Sequence, residues 1–269
     1  MREITRDGVR IHYEDEGPGP AVLLIHGHTL DRRVWEPVMP GLRAAGLRIV
    51  RPDLRGHGLS DRPDSGYHLS HHAADLAAVL ESCGLEEAVV AGYSVGGGIA
   101  LEMALTMPES VGGLVLLSPV MPDRPFEAVF MDNLREVARV TRAEGIAAAM
   151  AGPWAASPLF AHSFGKPGIR ERVLDIVRDF PGAEYLATAR DRVERAWTVP
   201  ERLAEIAVPT AVLVGERELP GFRAYAEEAA SGIPGARLEV LADCGHLLPF
   251  EAPDRVAAAI IDVVQRSNV

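Results

Sequence analysis

Lysine occurs once in these 269 residues, at Lys166, and cysteine only twice, at Cys83 and Cys244. With no concentrated basic face and a formal charge of −11, the chain lacks the electrostatic footprint of a nucleic-acid binder. Its arginines are interspersed with acids, which reads as compositional bias. Two cysteines make at most one disulfide, and the opening "MREITRDGVR" has no apolar targeting core, so free thiols in a cytoplasmic, reducing setting are expected. No stretch approaches the roughly 20 apolar residues that a membrane span needs. What remains is a chain with 48% apolar residues, ample for a sizeable core.

The elements alternate at first. "REITRDGVRIHYEDEG" reads as a hairpin about Asp7-Gly8. "AVLLIHG" and "LRIVRPDLRG" are dense apolar runs with a helical stretch, Trp35 to Ala45, between them, which begins a βαβ pattern. "HLSHHAADLAAVLESCG" puts Leu76, Val79, Leu80 and Cys83 on one helical face, with Ser70 as the expected N-cap and Gly84 as the stop. A strand over Glu87 to Ala91, a helix over Ile99 to Met107 and the strand "VGGLVLLSP" follow. From about Val120 to Pro200 only helical spacing appears, as in Phe126, Phe130, Leu134 and Val137, then Ile169, Val173, Ile176 and Phe180. Alternation resumes with "PTAVLVGE", a helix over Tyr225 to Ala230, "ARLEVLADCGH", and a closing helix over Val256 to Val264. The expected organisation is therefore an α/β core, residues 1–119 and 201–269, interrupted by a helical unit over 120–200.

"AGYSVGGG" places Ser94 between a strand and a helix, inside a G-x-S-x-G pattern. Such a join brings the residues two before and two after the serine together, and only glycine leaves room there. The hydroxyl then projects at a helix N-terminus, whose dipole favours a developing anion.

A serine hydroxyl needs a general base, and the base needs an orienting group. His246, in "ADCGHLLPF", follows the last strand. Glu218, in "VLVGEREL", follows the strand before it, so Ser94, Glu218, His246 run in the order nucleophile, acid, histidine. Glu216 and Asp123 are the competing acids. The N–H groups of Val95 and of His28, in "HGHTL", are the candidate oxyanion donors. His57, in "DLRGHGLS", reads as structural, within a hydrogen-bonded turn shared with Asp53 and Arg55. His26 with His28, or His68 with His71 and His72, has no matching acid or cysteine spacing, so no metal site is expected.

"LLIHGHTLDRRVW", "RPDLRGHGLSDRP", "VVAGYSVGGGIALEMA", "VLVGEREL" and "CGHLLPFEAPDRV" together resemble the signature blocks of the α/β-hydrolase superfamily. They run nearly end to end, leaving only the helical unit unmatched, and look most similar to the branch of small esterases, enol-lactonases and cofactor-free perhydrolases. The resemblance implies an eight-stranded, mostly parallel sheet flanked by helices, a helical cap between strands six and seven, and no cofactor. Many members carry Asp where Glu218 stands. Dehalogenases and epoxide hydrolases of the superfamily carry a carboxylate where this chain has Ser94, which disfavours both.

The expected reaction is hydrolysis of a small, mainly apolar carboxylic ester or lactone. The alternatives are C–C cleavage of a β-diketone with the same side chains, and a non-catalytic small-molecule receptor on the same scaffold. Phe126, Phe130, Met131, Met150, Trp154, Phe160 and Phe164 are expected mostly to form the helical unit's own core. Trp154, Tyr93 and Phe126 are the residues expected to touch substrate.

Overall fold

A computed structural model of the protein describes residues 2–187, 196–267 and 269. Strands β1 (Arg2–Arg6) and β2 (Val9–Glu16) pair antiparallel across the Asp7-Gly8 turn. Both turn residues hold positive φ, 50° and 78°, as a two-residue hairpin of the primed type requires. Strands β3 (Ala21–Ile25), β4 (Arg48–Pro52), β5 (Ala88–Tyr93), β6 (Val111–Leu117), β7 (Thr210–Gly215) and β8 (Arg237–Leu241) complete one eight-stranded sheet. Its order is β1-β2-β4-β3-β5-β6-β7-β8, parallel from β4 to β8. Every residue of β3, β5 and β7 is buried. That explains why those strands read as unbroken apolar runs: helices cover both faces.

The helices α1 (Met39–Ala44), α2 (Leu69–Ser82) and α3 (Val95–Thr106), with Pro220–Gly232 and Pro253–Arg266, flank the sheet. Helix α3 is buried from Gly96 to Leu105, which fits a sequence apolar on all sides. Two local expectations need correction. The N-cap of α2 is His68, whose Nδ1 accepts the N–H of Ser70, because an imidazole nitrogen serves there as well as a hydroxyl would. The stretch Trp35 to Ala45 is a single turn, Arg32–Trp35, followed by α1, since Pro40 suits a first helical turn and not an interior.

From β3 the chain passes to β4 on one side, and from β5 to β6 on the other, so the order reverses between β3 and β5. The crevice at the carboxyl ends of strands at such a reversal is where α/β sheets bind ligands. The loop after β3 and Ser94 both sit there. Between β6 and β7 no strand occurs among the described residues; instead α4 (Ala128–Glu144), Ile169–Val177, Ala183–Leu186 and several shorter helices follow. Of the expected 120–200 unit, residues 188–195 lie outside the described residues. Near its two ends, Asp123 Oδ2 accepts the N–H of Val199 at 2.9 Å, tying the outgoing chain to the returning one. No helix among the described residues is long and apolar enough to cross a membrane.

The turn after β4 is fastened by buried charge. Asp53 accepts from the N–H groups of Arg32 and Leu59, and from the Arg32 guanidinium at 2.6 Å. Arg55 makes a bidentate pair with Asp75 of α2, at 2.7 and 2.8 Å, and both side chains are buried. Removing one member leaves the other charge buried without compensation. Asp75→Ala is therefore expected to cost about 3–5 kcal/mol of unfolding free energy. Chemical denaturation checks it, and a change within about 0.5 kcal/mol would contradict the assignment.

Candidate active site

Strand β5 ends at Tyr93 and α3 begins at Val95, so one residue makes the whole turn. Ser94 holds φ 55° and ψ −116°, a region costly to a residue with a Cβ, at about 1–3 kcal/mol. Its surroundings over-determine it: the Ser94 N–H donates to Leu117 O at 2.9 Å, and Ser94 O accepts from Gly97 and Val120, each at 2.9 Å. A Cβ on Gly96 would collide with the carbonyl oxygens of Ile25 and His26, and one on Gly92 with the carbonyl of Gly96. The glycines let β3, β5 and α3 touch.

The expected residues converge. Ser94 Oγ lies 3.1 Å from His246 Nε2, and His246 Nδ1 lies 2.7 Å from Glu218 Oε2. All three are buried. The other oxygen of Glu218, Oε1, accepts the N–H of Leu219 at 2.9 Å, so the carboxylate is held at both oxygens. The other candidate acids are engaged elsewhere: Asp123 with Val199, and Glu216 with the N–H of Asp243 at 3.2 Å. Rings of Tyr93, Phe160 and Phe222 surround the His246 imidazole at centroid distances of 5.3, 6.2 and 4.8 Å. Burial pushes the Tyr93 phenol well above its ordinary value, with the nearby Glu218 charge adding to the effect, so Tyr93 stays neutral.

Two histidines fix the loop after β3. His26 Nδ1 donates to Gly27 O at 2.8 Å, and its Nε2 accepts the N–H of Leu54 at 2.9 Å. His57 Nδ1 donates to Arg55 O at 3.0 Å, and its Nε2 accepts the N–H of Thr29 at 3.2 Å. These partners assign the tautomers, and both rings must be neutral to accept an N–H. Burial lowers both pKa values in the same direction. The loop so held runs beside Ser94: a Cβ on Gly27 would lie 3.2 Å from Ser94 Cβ. The N–H of Val95, first in α3, has no partner within the helix.

A cavity of about 660 Å³ opens above Ser94 and His246. Tyr93, Trp154 and Phe126, the residues expected to touch substrate, all line it, as do Val95 and His28. Of the aromatic and methionine side chains expected mostly in the helical unit's own core, Met150, Trp154 and Phe160 are buried in the apolar core, with Phe126, Phe130 and Phe164 packed against it. Phe126, Phe130, Met131, Trp154 and Phe160 also line the cavity. Trp154 sits at the end of a distorted turn, Met150–Trp154, whose Pro153 carbonyl accepts from Asn133 at 2.8 Å, and it packs on Phe160 at 4.6 Å.

Three features escaped the sequence. Phe222 joins the lining beside His246. His72 lines the cavity too; its place four residues before Leu76 on the buried face of α2 is the signal that could have found it. Glu184 meets His28, Nε2 to Oε2 at 3.0 Å, a pairing across a sequence separation that no local pattern announces. The ligand atoms of His28, His57 and Glu184 lie within 4.8 Å of one another, which invites a metal. The fit fails at His57, whose two nitrogens are already a donor to Arg55 and an acceptor from Thr29. Among the described residues, the buried polar atoms of the lining without a partner are His72 Nδ1, Ser157 Oγ and Tyr185 OH. Each such group costs about 1–3 kcal/mol while it stays unpaired.

The model of the "Alpha/beta hydrolase family" matches residues 22–259. The chain belongs to the alpha/beta hydrolase family. It is 29% identical over 265 residues to the AB hydrolase superfamily protein YisY of Bacillus subtilis, covering 95% of this chain and 96% of that one. Among solved structures, it is similar to a thermophilic esterase from Thermogutta terrifontis, at 28% identity, a TM-score of 0.79 and 98% coverage of both chains. It is also similar to Est816, described as an N-acyl homoserine lactone degrading enzyme, at 28% identity and a TM-score of 0.76, covering 96% of this chain and 98% of that one. The protein is thus an enzyme of the alpha/beta-hydrolase type.

Burial also sets a pH dependence. His72 is held neutral down to about 4 by desolvation, whereas an unfolded chain protonates it near 6.5. Between those values the unfolded chain binds the extra proton, so stability is full above about pH 6.5 and falls as pH drops toward 4. The share from His72 is at most about 3 kcal/mol. In His72→Phe, the decline of the urea midpoint from pH 6.5 to 5 is expected to be shallower than in the wild type. An equal slope would contradict this.

Proposed function

We propose that the protein is a serine hydrolase that cleaves a carboxylic ester or lactone of a small, mainly apolar substrate through an acyl-enzyme. The observation that carries this reading is the continuous hydrogen-bonded line from Ser94 Oγ through His246 to Glu218, at 3.1 and 2.7 Å, under an apolar cavity. As Ser94 Oγ attacks the carbonyl, His246 Nε2 takes its proton, and Glu218 stabilises the imidazolium that forms. The developing oxyanion rests on the N–H groups of Val95 and His28, the first of them at the α3 N-terminus. His246 then returns the proton to the leaving alkoxide, and water, deprotonated by the same histidine, releases the acyl group. Trp154, Tyr93 and Phe126 provide the apolar walls that hold the substrate.

The similar esterase and lactone-degrading enzyme favour O-acyl substrates over C–C cleavage. Neither metal nor organic cofactor enters the steps above.

Ser94→Ala is expected to lower kcat on short p-nitrophenyl esters by at least about 10³-fold with the circular dichroism spectrum unchanged. Retained turnover would remove Ser94 from the mechanism. A parallel comparison tests the acid. Glu218→Gln is expected to lose about 10³–10⁴-fold, while Asp123→Asn loses less than about tenfold. The reverse ranking would overturn Glu218.

A further inference from the structure

The cavity lining has two chemically distinct parts. Phe126, Phe130, Phe160 and Phe222 make up one of them, beside His246. Glu184, paired with His28, belongs to the other. Its side chain keeps 39% of its surface open, and the residue lines the cavity. Desolvation raises its pKa, but the contact with His28, 3.0 Å away, more than offsets this and leaves the carboxyl at about 2, ionised throughout the neutral range. Among the described residues, no arginine or lysine pairs with it.

Two groups near Glu184 lack partners among the described residues. Tyr185 packs its ring on His28 at 5.4 Å, and its hydroxyl is closed off with no such partner. Burial keeps that phenol protonated, reinforced by the adjacent Glu184 charge. His72, also on this lining, has an unpartnered Nδ1. His28 holds Glu184 Oε2, and an apolar substrate would cover the other carboxylate oxygen without a partner for it among the described residues, which a binding site tolerates poorly.

We propose that this part of the cavity is a specificity subsite for a substrate group bearing an N–H or O–H donor, seated on the Glu184 carboxylate with Tyr185 and His72 beside it. The inference rests on Ser94 as the nucleophile, because that fixes the scissile carbonyl near His246 and leaves the remainder of the substrate to span the cavity. The substrate is then two-ended: apolar along Phe126 and Trp154, and hydrogen-bonding at Glu184. A hydroxyl, an amide and an ammonium share the donor chemistry that the carboxylate reads.

The test measures binding, not turnover, on full-length Ser94→Ala protein by isothermal titration calorimetry. The probes are ethyl hexanoate and its analogues carrying a hydroxyl, an amino or an acetamido group at C2, C3 or C4. At least one donor-bearing analogue is expected to bind about tenfold or more tightly than ethyl hexanoate. In the added Glu184→Leu background that preference is expected to fall to within about twofold. Should the leucine variant fold poorly, isosteric Glu184→Gln is expected to reduce the preference for an amino analogue by at least about fivefold. The proposal is overturned if ethyl hexanoate binds as tightly as every analogue, or if the preference survives loss of the carboxylate. Absence of ester hydrolysis in the wild type with the preference intact would overturn the hydrolase reading alone. Hydrolysis without the preference would overturn this inference alone.

Discussion

Close contact between three chain segments at Gly92, Gly96 and the carbonyls of Ile25 and His26 is the constraint from which the site follows. Without a Cβ at either glycine, β5 and α3 meet through a single strained residue, and Ser94 is lifted above the sheet edge. The same contact brings the loop after β3 against the serine. One packing requirement thus sets Ser94, the N–H of Val95 and the neighbouring loop together. The strain is held in place by backbone bonds from Leu117, Gly97 and Val120, so the surrounding sheet carries it.

Around that contact, charge and neutrality are divided cleanly. Beside the sheet, the Arg55–Asp75 and Arg32–Asp53 pairs bury full charges and fasten the turn after β4. Within the turn, His26 and His57 are buried as neutral acceptors and pin the loop that borders Ser94. The expectation that His57 has a structural place agrees with this network, in which its Nε2 holds the N–H of Thr29.

The fold was legible in the sequence wherever one pattern had one physical cause. Apolar runs closed by glycine mark the buried parallel strands, and Gly-x-Ser-x-Gly marks the turn, because no other residue tolerates that approach. The histidine and Glu218 were legible by order along the chain, since successive strands deliver their loops to one edge of a parallel sheet. What was not legible depends on side chains meeting across long separations. The allocation of Phe126, Phe130 and Trp154 between core and cavity needs the height of the helical layer above the sheet. The Glu184–His28 contact joins that layer to the loop after β3. Hydrophobic spacing says that such residues are covered, never by what.

The account turns on Ser94 being a nucleophile activated through His246. Labelling with a fluorophosphonate, followed by peptide mass spectrometry, measures that directly. The expected result is a single adduct on Ser94, formed at least about 10²-fold more slowly in His246→Ala. An adduct on any other residue, or a rate at Ser94 indifferent to His246, would contradict it.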